Sequence, residues 1–248
     1  VVAFQQAEAD YEAAWEENPD LENTNTLDLM KAFTMYQEIA DKFPDAKILD
    51  AALYMMGVCQ MDQRANVYQP NEAIASFQKI VELFPDSEWS AQANYLIGKH
   101  YFDDQDNESA LAYFQRAEEL TRPEPGEYDS LYENTSYLLA WTHYNLNQYQ
   151  EALTLFKQGQ DYSERKEREV GEPSLTLEES LEYTALSFYG QYFDKGLGSS
   201  ALDVAKTYYE QNGENQYTPE MYVALADFHK TQSEILEAVD VYRFLQEH

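Results

Sequence analysis

An all-α fold, an α-solenoid of about six stacked helical hairpins, is predicted by three observations. First, a motif of Ala, three residues and an aromatic recurs about every 40 residues, with proline eight positions later in two copies. It reads Ala32, Tyr36, Pro44 and Ala73, Phe77, Pro85; Ala110–Phe114, Ala152–Phe156 and Ala238–Tyr242 repeat its first half. Second, a small residue (Gly57, Gly98, Ala140 or Ala226) precedes the Ala of four copies by twelve to sixteen positions. Third, 9 glycines and 8 prolines in 248 residues are too few for a turn-rich β fold. A repeat of this length means stacked supersecondary units, and it moves the expected function from chemistry towards binding.

Each element can be justified in order. Phe4, Ala7, Tyr11, Ala14 and Trp15 keep helical spacing over 2–17, and Asn18-Pro19-Asp20 ends that helix. Leu29, Ala32, Phe33, Tyr36, Ile39 and Phe43 form one apolar face over 27–43, and Pro44 stops it, because the residue before proline avoids the α region. Helix pairs follow at 46–63 with 70–84 and at 87–103 with 107–120, Asn107 capping the latter. Thr121 to Gly126 is a linker with two prolines. Ser130 and Glu133 have capping-box spacing and open a helix to 146; the return helix covers 149–160. Residues 161–175 are a charged insertion containing Arg165, Lys166 and Arg168, read as a helix extension followed by a loop. Thr176 and Glu179 form a second capping box for a helix to 192. Gly196 and Gly198 break the chain before a helix at 200–211, Thr218-Pro219-Glu220 starts another, and 234–247 is the last. The whole of 1–248 reads as one array, and its start at Val1 and stop at His248 read as cuts in a longer chain.

These residues resemble the tetratricopeptide repeat, a helix–turn–helix unit of about 34 residues. Ile97-Gly98, Tyr101, Ala110 and Phe114 follow its pattern, as do Leu139-Ala140, His143, Ala152 and Phe156, and Leu225-Ala226, His229, Ala238 and Tyr242. In these copies the two small residues are twelve apart, as the family has them; four extra residues separate the helices of the copy from 50, and the first and fifth copies are degenerate. The resemblance implies a right-handed superhelix, small residues where two helices of a hairpin cross, and aromatics wedged between hairpins. Phe43-Pro-Asp-Ala46 and Phe84-Pro-Asp-Ser87 are similar to junctions in bacterial envelope repeat proteins: BamD-type outer-membrane lipoproteins, the Tol–Pal-associated repeat protein and gliding-machinery proteins. That similarity implies a scaffold that is periplasmic or outer-membrane-associated, with a cytoplasmic setting as the alternative.

Carrying the family's groove positions onto this register implies partner-binding residues Tyr54, Val58 and Met61, then Tyr95, Lys99 and Phe102, then Asn134, Tyr137, Trp141 and Tyr144. The later copies add Glu182, Tyr189, Val223, Asp227 and Lys230. Two readings stay open for Tyr95, Tyr137, Trp141 and Tyr144: an aromatic trough for an extended peptide or helix, or rings consumed by packing. Lys99 is nearly alone as a cation there, so capture of an acidic chaperone tail is not expected.

The net charge of −30, from 46 acidic and 16 basic residues, disfavours nucleic acid and direct docking on anionic lipid. It suits partners with neutral or basic segments, bound ions or a saline setting, and equally a merely solvated surface. Cys59 lies among Met55, Met56 and Met61 and reads as a small buried apolar residue. His143 and His229 stand at aromatic positions and read as packing residues. No Gly-x-Ser-x-Gly, Cys-x-x-Cys, His-Glu-x-x-His or P-loop spacing is present. Asp103 to Glu108 lacks the glycine and terminal glutamate of a calcium loop and reads as a polar turn. Catalysis, cofactor and metal are therefore not expected. The expected function is a non-catalytic interaction scaffold in an envelope complex; the alternative is a structural subunit of a larger assembly that uses its ends or sides.

Overall fold

A computed structural model describes residues 1–17 and 27–247. The expected stop at Asn18-Pro19-Asp20 and the terminal His248 lie outside the described residues. The described chain is all-α, and its contacts divide it into two compact units, Val1–His100 and Tyr101–His248.

The first unit contains α1 (Val2–Glu16), α2 (Met30–Lys42), α3 (Leu49–Met61) and α4 (Pro70–Leu83), each packed on the next; the division falls inside α5 (Glu88–Asp103). Its core joins Ala7, Leu27, Leu29, Ala32, Tyr36, Ile39, Ala52 and Cys59. The helix expected from residue 27 begins three residues later. Leu27 instead pairs with the loop after α3: its N–H donates to the Arg64 carbonyl at 2.8 Å, and the Asn66 N–H donates to its carbonyl at 2.9 Å. The Leu29 N–H then donates to Asn66 Oδ1 at 3.0 Å. These bonds satisfy backbone groups that a helix end would leave open. Phe43 and Phe84 end α2 and α4 in nearly the same conformation, with φ near −132° and −134°. Each carbonyl accepts from the N–H three residues on, Ala46 and Ser87, at 3.0 Å, so the two Phe-Pro-Asp junctions are one turn used twice.

The second unit contains α6 (Asn107–Thr121), α7 (Ser130–Asn145), α8 (Tyr149–Val170), α9 (Leu177–Phe193), α10 (Ala201–Asn212), α11 (Thr218–Thr231) and α12 (Ile235–Glu247). α6 packs on α7, α7 on α8, α8 on α9, α9 on α10 and α11 on α12, and the first helices of successive hairpins also touch, α7 on α9 and α9 on α11. One of its core clusters includes Phe188, Tyr208, Tyr209, Met221 and Leu225.

The crossings show why glycine is required. A Cβ on Gly57 would lie 2.4 Å from the Phe77 ring, and one on Gly190 would lie 2.5 Å from the Tyr149 ring. Phe77 therefore packs inside its own hairpin, not only between hairpins as the family pattern implies.

Four caps differ from expectation, one of them at α11, where Thr218 is the first helical residue and Tyr217 takes the cap position without a side-chain bond. Asp106, not Asn107, caps α6, accepting from the Ser109 N–H at 3.1 Å. Asp129 caps α7 by accepting from the Tyr132 N–H at 2.8 Å, so Ser130 and Glu133 form no capping box. The Thr176 side chain makes no capping bond to α9. The reason at α7 is a stronger competitor: Glu133 is buried, holding Lys166 Nζ at 2.8 Å with one oxygen and accepting from the Ser174 hydroxyl at 2.8 Å with the other. Lys166 can reach because α8 continues to Val170, where left-handed Gly171 closes it. The charged insertion is thus a helix extension and a loop, as its composition suggests.

Candidate partner-binding face

The residues expected to bind a partner lie on the first helices of the hairpins. In the first unit Tyr54 is half-buried on α3 and stacks on Trp89, ring centroids 4.6 Å apart, while leaning on Phe77 at 5.8 Å. Met61 is half-buried at the end of α3; on α5, Tyr95 is half-buried and Lys99 exposed. Trp89 is absent from the sequence-derived set because it stands in the first turn of its helix, before the aligned positions begin.

In the second unit the rings form one connected cluster. Phe102 meets Trp141 edge-on at 4.9 Å, and Tyr137 lies 5.8 Å from Trp141. Trp141 and Tyr144 both reach Tyr183 of α9, at 4.7 and 5.4 Å, and Phe156 stacks on the same ring at 6.2 Å. All except Phe156 are half-buried, and Asn134 is half-buried at the start of this row. Burial raises the phenol pKa of Tyr137, Tyr144 and Tyr183, so these groups remain neutral hydrogen-bonding tips. Tyr183, the hub, is missing from the sequence-derived set. The fifth copy is degenerate, and only the rotation of α9 shows that Tyr183 turns towards α7 while its neighbour Glu182 turns towards α11.

Tyr189 continues the face. It stacks on exposed Phe193 at 5.5 Å, meets Phe228 edge-on at 4.9 Å, and donates from its hydroxyl to Glu234 Oε1 at 3.1 Å. The other oxygen of Glu234 lies 2.8 Å from Nδ1 of buried His229, a packing position as read from sequence. His143 is likewise buried, with Nδ1 2.6 Å from Gln148 Oε1.

Between α9 and α11 the same face opens into a cavity of about 410 Å³. Leu181, Leu186, Val223, Ala224 and Phe228 supply its apolar surface, and Glu178, Glu182, Glu220 and Asp227 its carboxylates. Val223 is 41% exposed there. Glu182, Val223 and Asp227 were in the sequence-derived register. Asp227 accepts from Lys230 at 2.7 Å and from the Tyr242 hydroxyl at 2.8 Å, which lowers its pKa. Among the described residues no group of three or more His, Cys, Asp or Glu is arranged to hold a metal ion, and no helix is long and apolar enough to cross a membrane.

Models of the tetratricopeptide repeat match this sequence over residues 51–87 and 89–165. No curated protein matches it. Among solved structures, the chain is similar to MamA, with 19% identity, 84% of this chain and 91% of that chain covered, and a TM-score of 0.51. It is similar to the apo quorum sensor NprR from B. thuringiensis, with 18% identity, 97% and 64% covered and a TM-score of 0.52. A signal-transduction ATPase with a tetratricopeptide-repeat sensor from Pyrococcus horikoshii shares 17% identity over 100% of this chain and 37% of that one, with a TM-score of 0.56. At these identities the likeness is one of fold.

Proposed function

The chain is a tetratricopeptide-repeat protein, and from that premise we propose that it is a non-catalytic scaffold that captures a partner protein on the face made by its first helices. The observation that carries this reading is the connected row of half-buried rings from Phe102 through Trp141 to Tyr183, accompanied by the open cavity between α9 and α11. Half-buried Tyr and Trp rings combine large apolar area with polar tips and few rotatable bonds, the chemistry favoured at binding hot spots. On this reading the rings pack against one another, and the part of each that stays exposed is what a partner would cover.

The proposed setting is a bacterial envelope assembly on the periplasmic side or at the outer membrane. Its support is the pair of Phe-Pro-Asp junctions, Phe43 to Ala46 and Phe84 to Ser87, and their similarity to junctions in envelope repeat proteins. Fractionation of cells expressing the full-length protein checks this; an exclusively cytoplasmic pool would overturn it.

The scaffold reading is tested by replacing Tyr137 and Trp141 with Ala and comparing captured proteins by cross-linking and mass spectrometry, with helical circular dichroism as the folding control. Loss of specific partners is expected, and an unchanged set in a folded variant would sink it. A structural subunit that associates by an end or a side is the second reading, favoured by Ile235 and Leu236, 57% and 77% exposed at the start of α12. Partner loss on replacing those two residues by Ser, with the ring variant unaffected, would favour it.

A further inference from the structure

The cavity between α9 and α11 has a chemistry specific enough to name its occupant. Its α9 wall is one stripe, Glu178, Leu181, Glu182 and Leu186. Its α11 wall is another, running from Glu220 to Thr231 at spacings of three and four. At 1.5 Å per residue that second stripe is about 16 Å long, or about three helical turns. The volume of about 410 Å³ suits the side chains of one helix face laid along the groove, not a whole helix enclosed in it.

Charge completes the description. Both walls carry carboxylates beside the apolar surface, so negative charge flanks it on two sides. Only Asp227 is held by a cation of the chain, Lys230; Glu178, Glu182 and Glu220 make no ion pair among the described residues. An extended peptide points alternate side chains to opposite faces. An amphipathic helix instead presents an apolar stripe with polar residues on both flanks, so it can set aliphatic and basic side chains against both mixed walls at once.

We propose that this cavity receives a basic amphipathic helix of about three turns from a partner protein, its aliphatic stripe on Leu181, Val223 and Phe228 and its Lys or Arg side chains against Glu178, Glu182 and Glu220. The proposal rests on the scaffold reading and assigns it a ligand class. The rim carboxylates set encounter rate and specificity, and exposed Val223 offers the apolar contact that discriminates helix docking from general attraction to an acidic surface.

The test uses fluorescence polarisation with three labelled helical peptides of one pattern, Leu/Lys, Leu/Glu and Gln/Lys, at about 0.15 M salt, where long-range attraction is screened. The Leu/Lys peptide is expected to bind saturably and the others not. Combined Glu178→Lys, Glu182→Lys and Glu220→Lys, and separately Val223→Asn, should each weaken it by about tenfold or more. A control variant, Glu12→Lys with Glu16→Lys and Glu17→Lys at exposed positions in α1 and just after it, makes the same change in net charge and should leave binding unchanged. Equal weakening by the control, equal binding of the Leu/Glu or Gln/Lys peptide, or indifference to Val223→Asn would overturn the proposal. If Leu/Lys binding fails while the Tyr137 and Trp141 variant still loses its protein partners, this ligand class falls and the scaffold reading stands.

Discussion

At the scale of single residues, Tyr36 shows how far a repeat position determines its own chemistry. It occupies the aromatic place filled by Phe77, Phe114 and Phe156 in other copies, and like them it is fully buried. Its ring meets Phe4 edge-on at 5.4 Å, but its hydroxyl has no partner among the described residues. An unpaired buried hydroxyl is destabilising, whereas the ring alone retains its packing. Tyr36→Phe is therefore expected to stabilise the fold by about 1 kcal/mol, read as a higher urea midpoint at unchanged slope. A lower midpoint would mean that the hydroxyl is satisfied. Cys59, read from sequence as a buried apolar residue, is that: burial raises its thiol pKa to about 12. Tyr183 is the counterexample. Nothing in its local sequence separates it from Tyr189 or Tyr192, and its role as the hub comes from the neighbours it meets.

At the scale of elements, the hairpin turns repeat with more fidelity than the side chains in them. Gln105, Asn147 and Ser233 each have positive φ, between 56° and 64°. The next N–H donates back to the carbonyl five residues earlier, from Asp106 to Tyr101, Gln148 to His143 and Glu234 to His229, at 2.8 to 2.9 Å. This is the Schellman closure, and its left-handed position favours Gly and then Asn. Ser233→Gly is expected to stabilise by about 0.5–1 kcal/mol, while Asn147→Gly should be closer to neutral because Asn tolerates that conformation. Thermal melts of the two variants check the difference, and equal shifts would count against the backbone explanation. Helix existence and pairing were legible in the sequence because apolar spacing and proline stops are local signals. Caps were legible less often. Glu133 looked like half of a capping box until α8 brought Lys166 and the following loop brought Ser174 to its two oxygens.

At the scale of the molecule, the abundance of tyrosine makes the fold sensitive to alkali. Burial raises the phenols of Tyr162 and Tyr208 to about 12 and lifts those of Tyr36, Tyr137 and Tyr222 as well. A phenol in the unfolded chain releases its proton near pH 10. The contribution of these groups is therefore intact below about pH 10 and is lost as pH climbs through the folded values, since the unfolded state deprotonates first. Melting temperature is expected to fall steeply between about pH 10 and 12, with tyrosinate absorbance rising together with loss of helix. Full tyrosinate absorbance near pH 10 with helix retained would refute it. By itself the sequence determined an all-α chain of hairpins, the glycine at a crossing and the helical extension through the charged segment. Each follows from spacing along one chain, which fixes which face of a helix is apolar. The tertiary structure alone decided which rings join Tyr183, which carboxylate is buried with Lys166, and that a cavity opens between α9 and α11. Those depend on how one helix is rotated against the next, and a shift of one residue turns a side chain by about 100° around the helix axis.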